Sequence, residues 1–161
     1  MKRYDDYFYG DIDKRKTQEW KYEHKAGGFK CSHCRQFVVI NDVMGTANRN
    51  HCNMCLWSKH VDEQKGDRKS PCGGGMEPVG LTFKHDGYGR RGEVMLVHAC
   101  AACSKISINR IARDDMEHVI LDVFAVSLSL EPRVRLRYAS QRIDLMVEAD
   151  ACELRTQLYG N

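Results

Sequence analysis

The pattern of apolar and polar residues divides the chain into three parts. Residues 1–27 mix charges of both signs with aromatic residues and follow no regular period. Such a segment is either an arm that orders on a partner or a mobile tail. Residues 28–113 hold short apolar segments bounded by glycine, asparagine and cysteine, and residues 114–161 hold longer apolar stripes. We therefore expect an N-terminal arm, a central domain and a C-terminal segment with these boundaries.

The central domain is predicted to contain short antiparallel strands. Apolar segments at 38–40, 81–84 and 93–98 have the length and composition of strands. The glycine-rich stretch 86–92 lies between the last two, and its glycines permit a tight hairpin tip.

The C-terminal segment is predicted to form two helices. Asp114 and Asp115 suit the start of the first helix, and Pro132 suits the start of a second that continues through Asp150. Residues 123–138 also alternate as strands would, so a strand interpretation stays open, although the length of the second segment favours helix. The stripes consist of Val119, Val123, Val126 and Leu130, and then of Leu136, Ala139, Ile143 and Met146.

The net charge of +3 is unevenly distributed over 161 residues. Residues 1–113 carry 20 Lys and Arg against 13 Asp and Glu, whereas residues 114–161 carry 5 against 9. The cysteine-rich part therefore has the charge to approach a polyanion, and the C-terminal segment does not. No apolar run approaches the roughly 20 residues of a membrane span, and no secretion signal or nucleotide-cofactor motif is evident. We expect a cytoplasmic protein without a membrane partner.

Eight cysteines in such a chain indicate metal ligands or redox thiols rather than disulfides. Two Cys-x-x-Cys pairs separated by 17 residues have the spacing of a tetrahedral zinc site. This first set of ligands is Cys31, Cys34, Cys52 and Cys55.

A second zinc site is predicted from the cysteines that remain. Cys100 and Cys103 form a third pair, and Cys72 offers another sulfur on a glycine-rich turn. We favour His98 as the fourth ligand, with His60 as the alternative; an open fourth position would instead make this a catalytic-type zinc. An interleaved pairing of the cysteines, a redox function and an iron–sulfur cluster remain alternatives to two separate zinc sites. Cys152, isolated near the end, is predicted to be a buried apolar residue.

The order and spacing of these residues resemble the RNHCP domain, which is named for an Arg-Asn-His-Cys-Pro motif. The resemblance covers roughly residues 28–130 and departs at Asn53, which replaces the proline and should loosen that turn. It implies a cytosolic zinc-binding protein and includes His51, His60 and His98 without giving their roles. It is carried by Arg49 to Cys52, Cys55, Leu56, Ser58, His60 to Asp62, Gly66 to Arg68, Cys72, Gly74, Met76, His98, Cys100, Cys103, Asn109 to Ala112, Asp114 and Asp115.

The fold class expected from these features is small α+β. It comprises a zinc-ribbon-like or treble-clef-like body with short antiparallel strands, followed by C-terminal helices. Zinc, as two ions, would stabilise the body.

The function that we favour is noncatalytic association with RNA or the ribosome. Cations beside the cysteine turns can meet phosphates from a rigid support, and planar groups at the hairpin tip can stack on unpaired bases. The candidate RNA contacts are Arg35, Arg49, His51, Lys59, Arg68, Tyr88, Arg90 and Arg91. Trp57 could also stack on a base, although core packing is the favoured interpretation.

Two other functions stay open. Asn50, His51 and His60 are the residue types of a His-Asn-His metal-dependent nuclease or hydrolase. Alternatively, the segment after Asp114 could be a docking surface for a protein partner, with zinc only as scaffold, or its apolar faces could simply cover the zinc body.

Overall fold

The described part of the chain forms two small antiparallel sheets. The computed structural model describes residues 27–40, 45, 49–85 and 91–160. Strands β1 (Gly28–Lys30) and β2 (Phe37–Val39) pair with each other. A four-stranded sheet has the order β3-β4-β5-β6, with strands β3 (Ser58–Lys59), β4 (Gly75–His85), β5 (Arg91–Cys100) and β6 (Ile106–Arg110). The predicted strands at 81–84 and 93–98 lie within β4 and β5, and the one at 38–40 overlaps β2 but extends one residue beyond it. The N-terminal arm up to residue 26 and the hairpin tip at 86–90 lie outside the described residues.

Helices follow the second sheet. They are α1 (Glu117–Leu128), α2 (Pro132–Ala139) and α3 (Ala151–Tyr159), and a 3₁₀ turn (Glu148–Asp150) precedes the last. The predicted small α+β class with C-terminal helices is confirmed. The strand alternative for residues 123–138 is wrong, and so is a single helix from Pro132 through Asp150.

Helix α1 starts later than the sequence indicates and buries a different stripe. Asp115 Oδ2 accepts a hydrogen bond from the Ala112 N–H at 2.7 Å, so the carboxylate closes the turn before the helix. Val126, expected on the buried face, is 62% exposed. The stripe that faces the sheet consists of Ile120, Val123, Phe124 and Ser127.

Helix α2 ends at Ala139 because the chain after it bonds to the sheet. The Met146 N–H donates to the Leu81 carbonyl at 2.8 Å. Arg135 donates from one guanidinium nitrogen to the carbonyls of Leu145 and Met146, at 2.7 and 2.8 Å. These bonds hold the segment in a non-helical path, so Ile143, Leu145 and Met146 are buried without forming a helical face.

The four-stranded sheet shares one hydrophobic core with α1 and α3, while Tyr138 of α2 packs in a second cluster with Val97 and Leu145. Leu81 and Leu96 of the sheet pack with Ile120 of α1 and Leu154 of α3. At Gly80 a Cβ atom would lie 2.9 Å from Leu145 Cδ2 and 3.1 Å from Ser127 Cβ, so a larger residue would require these side chains to move. The C-terminal segment therefore covers one face of the sheet. Among the described helices, none is long and apolar enough to cross a membrane.

Candidate metal centres

All three Cys-x-x-Cys pairs adopt the same backbone turn. In the first, the Cys31 N–H donates to the Gln36 carbonyl at 2.8 Å, and the Arg35 N–H donates to the Cys31 carbonyl at 3.0 Å. Arg35, directly after the second cysteine, is left-handed with φ of 68°. The same two hydrogen bonds recur from Cys52 to Trp57 and from Cys100 to Lys105, with left-handed Leu56 (φ 59°) and Ser104 (φ 61°).

The first two turns bring four sulfur atoms together. The sulfurs of Cys31, Cys34, Cys52 and Cys55 all lie within 4.8 Å of one another. Cys31 Sγ is 3.7 Å from Cys55 Sγ, and Cys34 Sγ is 3.5 Å from Cys52 Sγ. A tetrahedron with Zn–S bonds of about 2.3 Å has edges of about 3.8 Å, whereas a disulfide requires about 2.05 Å. The donor set and its spacing therefore fit one zinc ion.

Burial raises the pKa of two of these thiols, Cys52 and Cys55, and so disfavours their anions unless a cation is present. It raises the pKa of Cys52 to about 11, although backbone N–H groups of the turn oppose the shift. A thiol with such a pKa is protonated near neutral pH, and zinc binding would displace that proton. The first centre is thus suited to a tightly held cation rather than to a free reactive thiolate.

A second cluster joins the third turn to two residues upstream of β4. It contains His60, Cys72, Cys100 and Cys103, whose ligand atoms lie within 4.8 Å of one another. Cys72 Sγ is 3.7 Å from Cys100 Sγ, and Cys103 Sγ is 3.2 Å from His60 Nδ1. Gly74 packs against both sulfurs, and a Cβ there would lie 3.1 Å from Cys100 Sγ and 3.3 Å from Cys72 Sγ. Three sulfurs and one imidazole nitrogen match a Cys3His zinc site.

His98, our favoured fourth ligand, lies elsewhere, so that prediction is wrong. Its Nε2–H donates to the Leu56 carbonyl at 2.7 Å, and its Nδ1 accepts from Asn109 Nδ2 at 2.9 Å. Complete burial, helped by the neighbouring His51, lowers the pKa of His98 to about 3. His98 is therefore a neutral structural residue with both nitrogens engaged, and His60 completes the second centre.

The pairing of cysteines within the centres follows from these groupings. The structure joins the first and second pairs in one centre and adds Cys72 and His60 to the third pair in the other. Each of the seven predicted cysteine ligands belongs to one of these two centres. The interleaved arrangement, in which alternate cysteine pairs share an ion, is not adopted. Cys152, expected to be buried, is exposed on α3.

Arg49 and His51, predicted as RNA contacts, are buried in an ion-pair network. Arg49 donates to Asp114 and Asp115, and its Nε donates to the His51 carbonyl at 2.9 Å. His51 Nε2 is 2.8 Å from Asp115 Oδ2. Both residues are 1% exposed, so neither side chain can reach an RNA on the surface. The prediction for these two residues is wrong because distant acidic residues cover them.

A chain of amides continues this network toward the sheet. Asn50 Nδ2 donates to Asn109 Oδ1 at 3.0 Å, and Asn109 in turn donates to His98. The Asn50 carbonyl accepts from Ser58 Oγ at 2.7 Å. The polar residues around the second cysteine turn thus tie that turn to β5 and β6.

Two further predicted contacts are ion-paired. Arg68 Nη1 lies 3.0 Å from Asp62 Oδ2, and the pair is largely buried. Arg91 Nη1 lies 2.7 Å from Asp150 Oδ1, and its guanidinium also sits over the Phe83 ring. These arginines already have anionic partners within the protein.

The remaining predicted contacts differ in position. Arg35 is exposed and Lys59 is half-buried, whereas Tyr88 and Arg90 lie outside the described residues. Trp57 stacks on His33 with ring centroids 4.2 Å apart and planes 2° from parallel. One face of the Trp57 indole therefore packs on the first cysteine turn, where His33 lies between Cys31 and Cys34.

Two adjoining clefts run past both centres. The smaller is lined by residues of β1, the first cysteine turn and β3, and the larger is lined by residues of β3, β6 and the turn after α2. They share Asn50, Lys59 and Val61, so they lie side by side. We call the two clefts together the basic groove. Arg49 lines it but is buried and ion-paired. The other cations of its lining are Lys30, Lys59, Lys65, Lys105 and Arg142.

Most residues of the basic groove were missed by sequence reasoning. Lys30 directly precedes Cys31, and Lys105 follows the third pair by two residues, so their adjacency to cysteine turns was a usable signal. Arg142 gave no such signal, because only the fold carries the turn after α2 to the groove.

The fold and the two ligand clusters define a small α+β zinc-binding protein. A model of the RNHCP domain matches residues 26–121, more than half of the chain, and this chain belongs to that family. Neither the curated proteins nor the solved structures include a match. The turn that carries Asn53 keeps both of its backbone hydrogen bonds, so the expected loosening is not seen; the Asn53 carbonyl also accepts from the Met116 N–H at 3.1 Å.

Proposed function

We propose that this protein is a noncatalytic, zinc-stabilised RNA-binding protein that associates in the cytoplasm with the ribosome or another ribonucleoprotein. The observation that carries the proposal is the basic groove. Five exposed or half-buried cations line it in addition to buried Arg49, and its acidic lining consists of Asp62 and Glu63. Asp62 is already paired with Arg68, so the remaining field in the groove favours a polyanion.

The metal centres would hold the cations of the groove in place. Lys30 lies beside Cys31, and Lys59 precedes the ligand His60. A cation on a zinc-fixed turn loses little backbone freedom when it meets a phosphate, because the turn is already ordered. Zinc would therefore contribute to affinity through rigidity rather than through chemistry.

The nuclease alternative finds little support in the positions of its three residues. His60 belongs to the second metal centre, His51 is paired with Asp115, and Asn50 bonds to Asn109. A general base must reach a water next to the substrate, and buried His51 has no such access. The docking alternative is weakened because the main apolar stripe of α1 packs on the sheet.

Charge reversal in the groove tests the proposal. The double variant Lys30→Glu, Lys59→Glu should weaken binding of a labelled single-stranded RNA measured by fluorescence anisotropy. The slope of log affinity against log salt should become shallower by about 0.7 for each phosphate that the variant no longer neutralises. Zinc content, measured by atomic emission, should stay at two ions per chain.

The matched control changes the same charge elsewhere. Arg133→Glu with Arg155→Glu alters two exposed arginines of α2 and α3 that lie outside the groove, and position 133 is in the first turn of α2, where glutamate is favourable. The control should retain a near-native salt slope. Equal weakening in both double variants would mean that net charge alone binds RNA, and the proposal would fail.

A further inference from the structure

We propose that the larger cleft of the basic groove is a subsite for one unpaired nucleotide of a single-stranded RNA. This inference rests on the proposed RNA association and adds the substrate class. The cleft has a volume of about 510 Å³, within the roughly 300 to 1,000 Å³ of pockets that enclose small organic groups. A surface that only tracked a phosphate backbone would need no cleft of this volume.

Part of the floor of the cleft is apolar. Ile106 and Ile108 come from β6, the edge strand of the sheet, whereas buried Met76 lies on the opposite face of the sheet, beside Ser107. Ile106 and Ile108 are two residues apart, so they lie on the same face of the strand. Ile108 is 39% exposed, a large apolar side chain open to the cleft. An extruded base packs against apolar side chains in this way, whereas a duplex presents no free base face.

The rim of the cleft is cationic. Lys105 Nζ contacts the Glu63 backbone carbonyl at 3.4 Å, a contact that leaves its charge available. Lys59, Lys65 and Arg142 also line the rim. The phosphates on either side of an inserted base would therefore meet positive charge.

Arg142 occupies a backbone position that glycine would fill more easily. Its φ is 61°, and the Ile143 N–H donates to the Tyr138 carbonyl at 3.1 Å, which closes α2. Glycine is the usual residue at such a left-handed helix end. An arginine there accepts backbone strain, and its planar guanidinium at the cleft edge is suited to a phosphate or a base face.

Three RNA probes separate this inference from the proposed function. Anisotropy is measured with a short single-stranded RNA, its fully paired duplex, and a single strand of equal length with abasic positions at its centre. We expect the intact single strand to bind about tenfold more tightly than either other probe. Equal affinity for intact and abasic strands would overturn the base subsite and leave the proposed function standing. Failure of every probe to bind would overturn both.

Two variants test the floor and the edge separately. Ile108→Thr keeps a β-branched residue in β6 and removes apolar contact, so it should weaken the intact strand and leave the abasic strand unchanged. Its control, Val126→Thr, alters an exposed valine of α1 and should change neither. Unchanged binding by Ile108→Thr would overturn the inference.

Arg142→Gly relieves the left-handed strain and should not lower the melting temperature. We expect weaker RNA binding by this variant despite an intact fold, and unchanged binding would show that Arg142 is not part of the subsite.

A free nucleoside monophosphate should compete only at far higher concentrations than the oligonucleotide. Competition at equal concentrations would mean that the cleft holds a free nucleotide and would overturn the assignment to RNA.

Discussion

Arg49 shows how this protein uses charged residues in its interior. Its guanidinium donates to Asp114, Asp115 and the His51 carbonyl, and its side chain is fully buried. A buried charge is expensive to desolvate unless partners satisfy it, and here three do. The same reasoning applies to Asp115, which accepts from Arg49, His51 and the Ala112 N–H. The Arg-Asn-His string is thus a structural clamp beside the second cysteine turn.

Alanine variants of the two histidines considered for the second centre should differ in the amount of zinc that they bind. His60→Ala removes a ligand, so we expect the bound zinc to fall from two ions to one at limiting free zinc. His98→Ala should retain both ions. It should instead lower the free energy of unfolding, by about 1 to 3 kcal/mol for each buried polar group left without a partner.

Zinc quantified after gel filtration, together with urea denaturation of both variants, checks these outcomes. Loss of one zinc ion from folded His98→Ala, with full zinc in His60→Ala, would contradict the assignment.

The repeated element of the molecule is the cysteine turn. Its left-handed residue is Arg35, Leu56 or Ser104, and none of these is glycine. For residues with a side chain the left-handed conformation costs roughly 1 to 2 kcal/mol. Metal ligation and the two backbone hydrogen bonds of each turn would offset that cost.

Ser104 is the position at which this strain can be tested cleanly, because it is exposed. Ser104→Gly should raise the free energy of unfolding by up to about 1 kcal/mol, since glycine adopts positive φ readily. Ser104→Val should lower it, because a β-branched residue is disfavoured at φ of 61°. Thermal unfolding in excess zinc measures both variants. A stabilising valine or a strongly destabilising glycine would argue against strain at this turn.

Some elements could be predicted from the sequence and others could not. Cysteine spacing identified the turns because a two-residue gap sets the distance between sulfurs. The periodicity did not reveal the end of α2, because hydrogen bonds to β4 and to Arg135 replace those of a longer helix. Those partners are tertiary, and no local pattern encodes them.

At the scale of the whole molecule, long-range contacts determine the partners of Arg49 and the histidine ligand of the second centre. Arg49 meets its acidic partners 65 and 66 residues further along the chain. His60 reaches the second centre because two backbone hydrogen bonds hold its segment there. The His60 N–H donates to the Gly74 carbonyl at 2.8 Å, and the Ala101 N–H donates to the Gly75 carbonyl at 2.9 Å. The sequence therefore supplied the family, the fold class and the ligand types, but not the choice between two histidines.

The shared core predicts how the whole molecule responds to metal removal. Leu56, which follows the ligand Cys55, packs in the same cluster as Phe124 of α1 and Leu154 of α3. Structural zinc contributes apparent binding free energies of about 10 to 16 kcal/mol, comparable to the stability of a whole domain. Loss of zinc should therefore unfold the helices together with the sheets.

A strong chelator should remove the helical circular dichroism signal and change the fluorescence of the two tryptophans in one transition, and added zinc should restore both. Each centre has two buried ligands, but Cys103 of the second centre is exposed, so the second centre should release its ion first. His60→Ala should accordingly begin to unfold at lower chelator concentration than the unmodified chain. A helical signal that survives complete removal of zinc would show that the C-terminal segment folds by itself, and the single shared core would then not govern stability.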